Sequence, residues 1–379
     1  MRRFSLFLIV MLLLASGAVF AQEDDPTVTT SFRQALVFAG PGATYRDIGV
    51  LNPGVPIKII ERNKVGNWVH VQMYDTDGTV TLDGWIITGF LNYPDELRFS
   101  DVPVNPFLPD AETGSVESGV LVELYGEPLV GGISPTMRSV LEQGIEAGRD
   151  PYLVTKIGDS LIVSDLFLNL MNQTDEILGP YDTIAAAIDA FTVVDDSIAN
   201  EIGMASFSVL DPMWAQDERC EAGETPLDCE LRVHQAGIAF VMFGPNDVRS
   251  MNEERYGEEI TIIVETALAA HVVPVLTTFS VHPDDELYWQ GINLNRELVR
   301  IANEYDLPLI NLWSAAQILP EYGLDEDKVH LQNSGFTFLK YDSGHEAWYG
   351  MSLYNLLALV TLDDLRTMID DIETNEGAS

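Results

Sequence analysis

The stretch YLVTKIGDSL, from Tyr152 to Leu161, decides the fold expected for most of this chain. Its first six residues are mostly apolar or β-branched, which predicts a strand, and Gly158-Asp159 is a turn signal. The apolar periodicity of residues 162–171 then predicts a helix. A strand that turns directly into a helix is the repeating step of a parallel sheet covered by helices.

The same alternation continues toward the end of the chain. Near-continuous apolar runs predict buried strands, and periodic segments between them predict helices. No second strand is expected between residues 180 and 205. Ligands bind such sheets at the carboxyl ends of the strands, so chemistry is expected just after Ile157, Phe243 and Asn311. The remaining predicted strands are residues 238–243, 271–277 and 307–311, and the helices are 135–148, 183–191, 256–270 and 293–305.

The part of the chain before this region has a different pattern. Residues 27–94 contain short apolar runs separated by turns such as Gly40-Pro41-Gly42 and Asn52-Pro53-Gly54, which predict a small all-β barrel or sandwich. Residues 95–132 are rich in proline and acidic residues, and we expect them to form an extended linker.

The first 21 residues have the layout of a secretory signal peptide. Arg2 and Arg3 precede an apolar run, and Val19-Phe20-Ala21 resembles a cleavage site. The alternative is a membrane anchor, but the run is short for a span and contains Ser5, so cleavage is favoured. The mature chain is therefore expected to be secreted or held at the cell surface, without stable membrane insertion.

The charge of the chain excludes one class of partner. It has 59 acidic and 20 basic residues, a formal net charge of −39. Such a surface repels phosphate backbones, so nucleic acid is not expected to bind. The two cysteines, Cys220 and Cys229, lie in a polar loop and are predicted to form a disulfide in an exported chain. A metal site that includes His234 is the alternative.

Two strand ends carry residues suited to acyl-transfer chemistry. Ser160 lies at the turn after the first predicted strand, where its hydroxyl would project from the sheet edge beside free helix N–H groups. The alternative role is helix capping. Asn246, in Gly244-Pro245-Asn246-Asp247, could present its side-chain amide to an oxyanion, or could simply form a turn.

A serine nucleophile needs a general base, for which histidine is the usual residue. Asp327 and His330 have a spacing that lets the carboxylate orient the imidazole. Asp342 and His345 have the same spacing and are kept in reserve. The sequence also leaves His234 and His282 open as bases.

Residues 133–372 resemble the GDSL, or SGNH, hydrolase family in the order and content of three blocks. The first family block ends in the nucleophile and matches Ser160. The third block, Gly-x-Asn-Asp, matches Gly244-Pro245-Asn246-Asp247, and the fifth block, Asp-x-x-His, matches Asp327 and His330. The resemblance implies a flavodoxin-like parallel α/β sheet and a Ser-His-Asp mechanism.

The resemblance also implies a role for each matched residue. Ser160 would attack an ester carbonyl, His330 would move the proton, and Asp327 would orient His330. The oxyanion hole would consist of the N–H groups of Ser160 and Gly203 and the side chain of Asn246, with Gly203 matching the lone glycine of the second block by position. The family mechanism needs neither a metal nor an organic cofactor.

Residues 27–94 resemble a bacterial SH3 domain. The run Phe38 to Tyr45 contains the Gly-Pro-Gly turn, and Trp68 and Trp85 follow in the expected order. Phe38 stands where arginine is more usual. Such domains often bind cell-wall or surface polymers, which gives one expected partner; a spacer barrel without a ligand is the alternative.

Three functions remain after the sequence is considered. The first is a secreted carboxylic ester hydrolase, acting on small esters or on acetyl esters of a polysaccharide. The second is a lipase or thioesterase on the same scaffold. The third is a surface-polymer-binding protein that has lost catalytic activity.

Overall fold

A computed structural model describes residues 28–31, 34–41, 45–52, 54–63, 66, 68–92, 102–105, 118–169, 178–335 and 339–376. The predicted signal peptide and half of the predicted linker lie outside these ranges. Within them, no helix combines the length and apolar character needed to cross a membrane.

The N-terminal part is all-β, as predicted. Its strands pair antiparallel in the order β3-β2-β6-β5-β4-β1-β7. Trp68 and Trp85 are both only 6 % exposed, and the ring of Phe38 meets Trp68 edge-on at 5.4 Å between centroids. The two tryptophans therefore belong to the core of this part. The strands are β1 (Val28–Ser31), β2 (Ala35–Phe38), β3 (Asp47–Leu51), β4 (Ile57–Arg62), β5 (Trp68–Tyr74), β6 (Val80–Ile87) and β7 (Leu91–Asn92).

The C-terminal part is α/β, and its described strands form one parallel sheet in the order β12-β11-β10-β8-β9. Every residue of β10 is buried, which explains its unbroken apolar sequence, because a central parallel strand is covered on both faces. The parallel strands predicted from the sequence are thus confirmed. They are β8 (Asp150–Gly158), β9 (Thr192–Val193), β10 (Ala236–Met242), β11 (Val273–Thr277) and β12 (Leu309–Ile310).

Helices alternate with these strands. Ser134 caps α2 by accepting a hydrogen bond from Met137 N at 3.2 Å, and Pro135 occupies the first turn, as predicted. The helices are α1 (Ser118–Gly126), α2 (Pro135–Glu146), α3 (Ser160–Val163), α4 (Ala185–Ala190), α5 (Ser206–Val209), α6 (Pro226–Val233), α7 (Glu253–Ala269), α8 (Tyr288–Glu304), α9 (Leu312–Ala316) and α10 (Gly350–Glu376).

The helix after Ser160 is much shorter than predicted. The periodicity of residues 162–171 favoured a longer helix, but α3 ends at Val163 and Ser164 has extended backbone angles. Phe167 is buried against the C-terminal helix, where its ring stacks on Tyr354 at 4.1 Å between centroids. Tertiary burial, rather than helix formation, explains these apolar positions.

A short strand lies in the region where none was predicted. Strand β9 has two residues and pairs with β8 at Leu153 and Val154. Two residues show no periodicity, so the sequence pattern could not reveal this strand. The chain meets β8 again at Asn200, which bridges to Gly158.

A helix, α1, lies within the segment that was predicted to be an extended linker. Its Tyr125 packs on Trp313 at 4.8 Å between ring centroids, and the carbonyl of Leu124 accepts a hydrogen bond from Asn311 Nδ2 at 2.6 Å. Asn311 therefore has a structural contact of its own at this strand end. This side chain is fully buried and joins α1 to the end of β12.

The predicted disulfide between Cys220 and Cys229 is present, with the Cα atoms 5.2 Å apart. Cys229 lies on helix α6, and Cys220 lies nine residues before it. The bond closes the loop between them. Because both sulfur atoms are used in this bond, neither is a thiolate that could hold the metal ion considered as the alternative.

We predict that a Cys220→Ser/Cys229→Ser variant loses about 2–3 kcal/mol of unfolding free energy, because the unfolded chain regains the entropy of the open loop. Urea unfolding of wild type and variant, followed by circular dichroism, measures the difference. Wild type in the presence of dithiothreitol is the control and should lose the same amount. Equal midpoints for the oxidised wild type and the variant would contradict the prediction.

Candidate active site

Ser160 stands at a tight turn between β8 and α3. A Cβ atom on Gly158 would lie 2.2 Å from the carbonyl oxygen of Met242, so only glycine allows the turn to approach β10 this closely. The helix is capped by Asp159, whose side chain accepts a hydrogen bond from Leu161 N at 3.0 Å. Capping is thus performed by the preceding residue, and the hydroxyl of Ser160 has another partner.

That partner is His330. Ser160 Oγ lies 2.9 Å from His330 Nε2, and His330 Nδ1 lies 2.6 Å from Asp327 Oδ2. The other oxygen of Asp327 accepts the backbone N–H groups of Val329 and His330, each at 2.9 Å. The structure therefore brings together the serine, histidine and aspartate that the sequence selected, in one chain of hydrogen bonds.

The ionisation of Asp327 suits this arrangement. Burial opposes its charge, but the hydrogen bonds from the His330 ring and from two backbone N–H groups are together stronger, and they hold the pKa of Asp327 below its ordinary value. An ionised Asp327 accepts the Nδ1–H of His330, which leaves Nε2 of a neutral ring free to accept a proton from Ser160.

The loop that carries Asp327 and His330 is closed at its base. Leu324 and Leu331 form an antiparallel bridge, and Asp325 N donates to the carbonyl of His330 at 2.8 Å. Glu321, in the left-handed turn before this loop, has φ +48°. Such backbone is costly for a residue other than glycine and persists where the surroundings hold it.

The β11–α8 loop provides two contacts to this left-handed turn. Ser280 Oγ donates to the carbonyl of Tyr322 at 2.7 Å, and His282 Nε2 lies 3.3 Å from Glu321 Oε2. His282, which the sequence left open as a general base, thus contacts the turn that precedes the His330 loop.

The other histidine candidates lie in different surroundings. The ring of His345 meets Tyr349 edge-on at 5.4 Å, and Asp342, its sequence partner, accepts a hydrogen bond from Ser343 at 3.1 Å. His234 lies 3.8 Å from Glu230 on its own helix. The structure therefore favours His330 over the reserve pair.

Asn246 lies next to the serine turn, as the sequence predicted. Its side-chain Nδ2 is 3.2 Å from Asp159 Oδ2 and 3.1 Å from the carbonyl of Met204. Gly244 lets the chain turn sharply after β10, because a Cβ there would meet the ring of Phe279 at 2.0 Å. Asp159 is completely buried, and this burial raises its pKa to about 7.

Gly203 lies on an exposed turn that is anchored to the serine turn. Gly158 N donates to the carbonyl of Ala199 at 3.0 Å, and Glu201 N donates to the carbonyl of Gly158 at 3.2 Å. Gly203 itself has φ +82°. The backbone two residues beyond Glu201 is therefore held at the same edge of the sheet as Ser160.

Glu230 supports this edge and was missed from the sequence. It is fully buried on α6, and its carboxylate accepts hydrogen bonds from Ser197 Oγ at 3.1 Å, from Ala199 N at 3.3 Å, and from Ile198 N and Thr155 Oγ1. The glutamate looked like one more acidic residue in a polar loop. Its position three residues after Leu227, on the buried face of α6, was the available signal.

We predict that Glu230→Ala lowers the unfolding free energy by about 3 kcal/mol or more, because its buried donors would lose their acceptor. Urea unfolding measures the change. The matched control is Glu221→Ala, an exposed acidic residue just before α6, which should change stability by less than about 0.5 kcal/mol. Equal losses in the two variants would show that the buried carboxylate is not a special support.

Comparison with known proteins identifies no family model and no curated protein that matches this chain. Among solved structures, a lipase/acylhydrolase from Enterococcus faecalis matches with a TM-score of 0.38 and 17 % identity, over 50 % of this chain and 92 % of that one. A protein of the lipolytic G-D-S-L family from Desulfitobacterium hafniense matches with a TM-score of 0.34 and 16 % identity, over 55 % of this chain and 99 % of that one.

An acetyl xylan esterase from Geobacillus stearothermophilus matches with a TM-score of 0.34 and 15 % identity, over 51 % of this chain and 94 % of that one. The structural neighbours of this chain are thus GDSL-type lipolytic hydrolases and esterases, at low TM-score and identity.

Proposed function

We propose that this chain is an exported serine esterase that hydrolyses carboxylic esters through Ser160, His330 and Asp327. The observation that carries the proposal is the continuous chain of hydrogen bonds from Ser160 Oγ through both ring nitrogens of His330 to Asp327. These three groups have the contacts that nucleophilic catalysis by serine requires.

The proposed reaction has two halves. Ser160 Oγ attacks the ester carbonyl while His330 Nε2 takes its proton, and the tetrahedral intermediate collapses as His330 gives that proton to the departing alcohol. A water molecule then attacks the acyl-enzyme, His330 again acting as base, and the carboxylic acid leaves as Ser160 regains its proton. Asp327 orients the imidazole and stabilises its charged form throughout.

Three donors are proposed for the oxyanion: the N–H groups of Ser160 and Gly203 and the side-chain amide of Asn246. Without substrate, the amide of Asn246 donates to Asp159 and to the carbonyl of Met204. Burial raises the pKa of Asp159 to about 7, so near neutral pH this carboxyl is partly protonated and is then a weaker acceptor. An oxyanion can therefore compete for one of the amide hydrogens.

We further propose the domain arrangement expected from the sequence. Residues 1–21 would be a signal peptide, residues 27–94 an SH3-like domain, residues 95–132 the connection, and residues 133–372 the hydrolase domain. The disulfide is compatible with export. Because Trp68 and Trp85 are buried, any wall-polymer ligand of the SH3-like domain would have to bind other residues.

We predict that Ser160→Ala lowers kcat for p-nitrophenyl acetate by about 10⁶-fold, because no other group replaces the nucleophile. The control is His345→Ala, which lies outside the proposed machinery and should keep wild-type activity. Labelling of intact protein by a serine-directed phosphonate, located by mass spectrometry, should occur at Ser160. Undiminished hydrolysis by Ser160→Ala would refute the assignment, whereas a folded wild type that neither labels nor hydrolyses would favour the polymer-binding alternative.

We propose that a small pocket lined by sequence neighbours of the site residues receives the acyl group of the ester. It is lined by Pro245, which precedes Asn246, and by Val329, which precedes His330. Its volume is about 20 Å³, enough for roughly one water-sized group. Its other lining residues are Val248, Arg249, Phe279, Ser280, Val281, Asp285, Leu287 and Lys328.

We predict that kcat/KM for p-nitrophenyl esters falls at least about tenfold from acetate to octanoate, since a longer chain cannot enter this pocket without displacing Phe279. Stopped assays with the ester series, at equal enzyme concentration, test this preference. The Phe279→Ala variant enlarges the pocket and should narrow the difference. A wild-type preference for octanoate would support the lipase alternative.

A further inference from the structure

Two buried carboxylates face one hydroxyl group behind the candidate site. Ser206 Oγ lies 2.6 Å from Asp247 Oδ1 and 2.7 Å from Glu259 Oε2. Ser206 and Asp247 are completely buried, and Glu259 is 9 % exposed. The three residues come from the start of α5, the turn after β10 and the helix α7.

A hydroxyl group has one hydrogen, so it can donate to only one of the two carboxylates. If both were ionised, the second would face the lone pairs of Ser206 Oγ and the charge of the first at close range, with little water between them. Two carboxyl groups that share a site hold a proton between them for this reason. The distances therefore imply that one of Asp247 and Glu259 is protonated.

The surrounding charges indicate where this proton lies. Arg255 Nε donates to Glu259 Oε1 at 2.9 Å, which places a cation beside this carboxylate. Asp247 has no such cation among its hydrogen-bond partners in the described chain, and the other titratable groups near it are Asp159 and Tyr256. Burial and the neighbouring Glu259 charge raise the pKa of Asp247. These contacts favour Asp247 as the group that would hold a shared proton.

Ser206, Asp247 and Glu259, here called the carboxylate unit, join the two loops that carry the proposed oxyanion donors. Asp247 directly follows Asn246, and its Oδ1 also accepts Ser206 N at 2.8 Å. The loop before Ser206 contains Gly203 and Met204. The carbonyl oxygen of Met204 accepts a hydrogen bond from Asn246 Nδ2 at 3.1 Å. An increase in the distance between Asp247 and Ser206 would therefore also change the distance between Gly203 N–H and the side-chain amide of Asn246.

We propose that Glu259 is a positioning residue of the oxyanion hole, which acts by sharing a proton with Asp247 through Ser206. While the proton is present, the unit holds the two donor loops together. When the proton leaves as pH rises, the two facing carboxylates repel, the loops separate, and stabilisation of the oxyanion is lost. The role in catalysis rests on the proposed esterase function; the shared proton itself does not.

The proton also has a consequence for stability. A carboxyl group whose pKa is raised in the folded state binds a proton that the unfolded chain has already released. Its contribution to stability is greatest at acidic pH and is lost as pH rises from the ordinary carboxyl pKa through the raised one. Removing the charge of Glu259 should make this loss of stability smaller, because Asp247 would then ionise beside a neutral side chain.

The experiment compares wild type, Glu259→Gln and Glu258→Gln. In Glu259→Gln the side-chain amide can donate its N–H to Ser206 Oγ without any shared proton. Glu258 is an exposed residue of the same helix, so Glu258→Gln controls for the loss of one negative charge. Melting temperatures are measured from acidic to alkaline pH, and kcat for p-nitrophenyl acetate is measured over the same range.

Wild type and Glu258→Gln should lose both stability and kcat as pH rises, and in Glu259→Gln both losses should be smaller. At about one pH unit above the midpoint of this loss in wild type, wild-type kcat should have fallen about tenfold while Glu259→Gln keeps most of its maximum. If Glu259→Gln fails to fold, Ser206→Ala replaces it, and Ser206→Thr is the control that restores the hydroxyl group. Only Ser206→Ala should increase the losses of stability and kcat as pH rises.

Each result decides a separate part of the proposal. Identical pH profiles of melting temperature for wild type and Glu259→Gln would refute the shared proton, even if the protein hydrolyses no ester. A changed melting profile with an unchanged kcat profile would refute the positioning role. Absence of ester hydrolysis by wild type at every pH would refute the proposed function and leave the melting profiles to decide the shared proton.

Discussion

The close approach of Gly158 to strand β10 is the constraint on which the candidate site depends. Because the residue has no side chain, the turn after β8 lies directly against the carbonyl of Met242. This contact sets Asp159 within reach of Asn246, on the turn after β10, and leaves Ser160 at the sheet edge. Because β8 and β10 are adjacent in the sheet, Ser160 and Asn246, which follow them, also lie next to each other.

The remaining groups reach this edge from long loops, and the structure stabilises each loop in a different way. The loop after β9 is held by the buried carboxylate of Glu230 and by two backbone bonds to Gly158. The loop with Asp327 and His330 is instead exposed and closed by its own backbone bridge between Leu324 and Leu331. The first loop is fixed by burial and the second by local geometry.

This difference explains how much the sequence could predict. Strands β8 and β10 are long and mostly apolar, so these runs predicted both the parallel sheet and the strand ends at which Ser160 and Asn246 lie. The spacing of Asp327 and His330 was local, so it predicted their contact within one loop, but their contact with Ser160 depends on the whole fold. Helix α3 was predicted too long, because burial of Phe167 by a distant helix imitates helical periodicity.

Long-range polar contacts were the least predictable part, and the acidic composition hid them. The chain has a net charge of −39, and most carboxylates of the described ranges are not buried, so an acidic residue in a polar sequence gives no sign of burial. Glu230 and Glu259 look alike in sequence, yet the first is satisfied by donors from one loop and the second faces another carboxylate across Ser206. Hydrogen-bond donors stabilise the charged form of a buried carboxyl group, whereas a second carboxylate close by destabilises that form. The sign of its effect on stability at rising pH therefore depends on the partners that the fold provides, and not on the residue type.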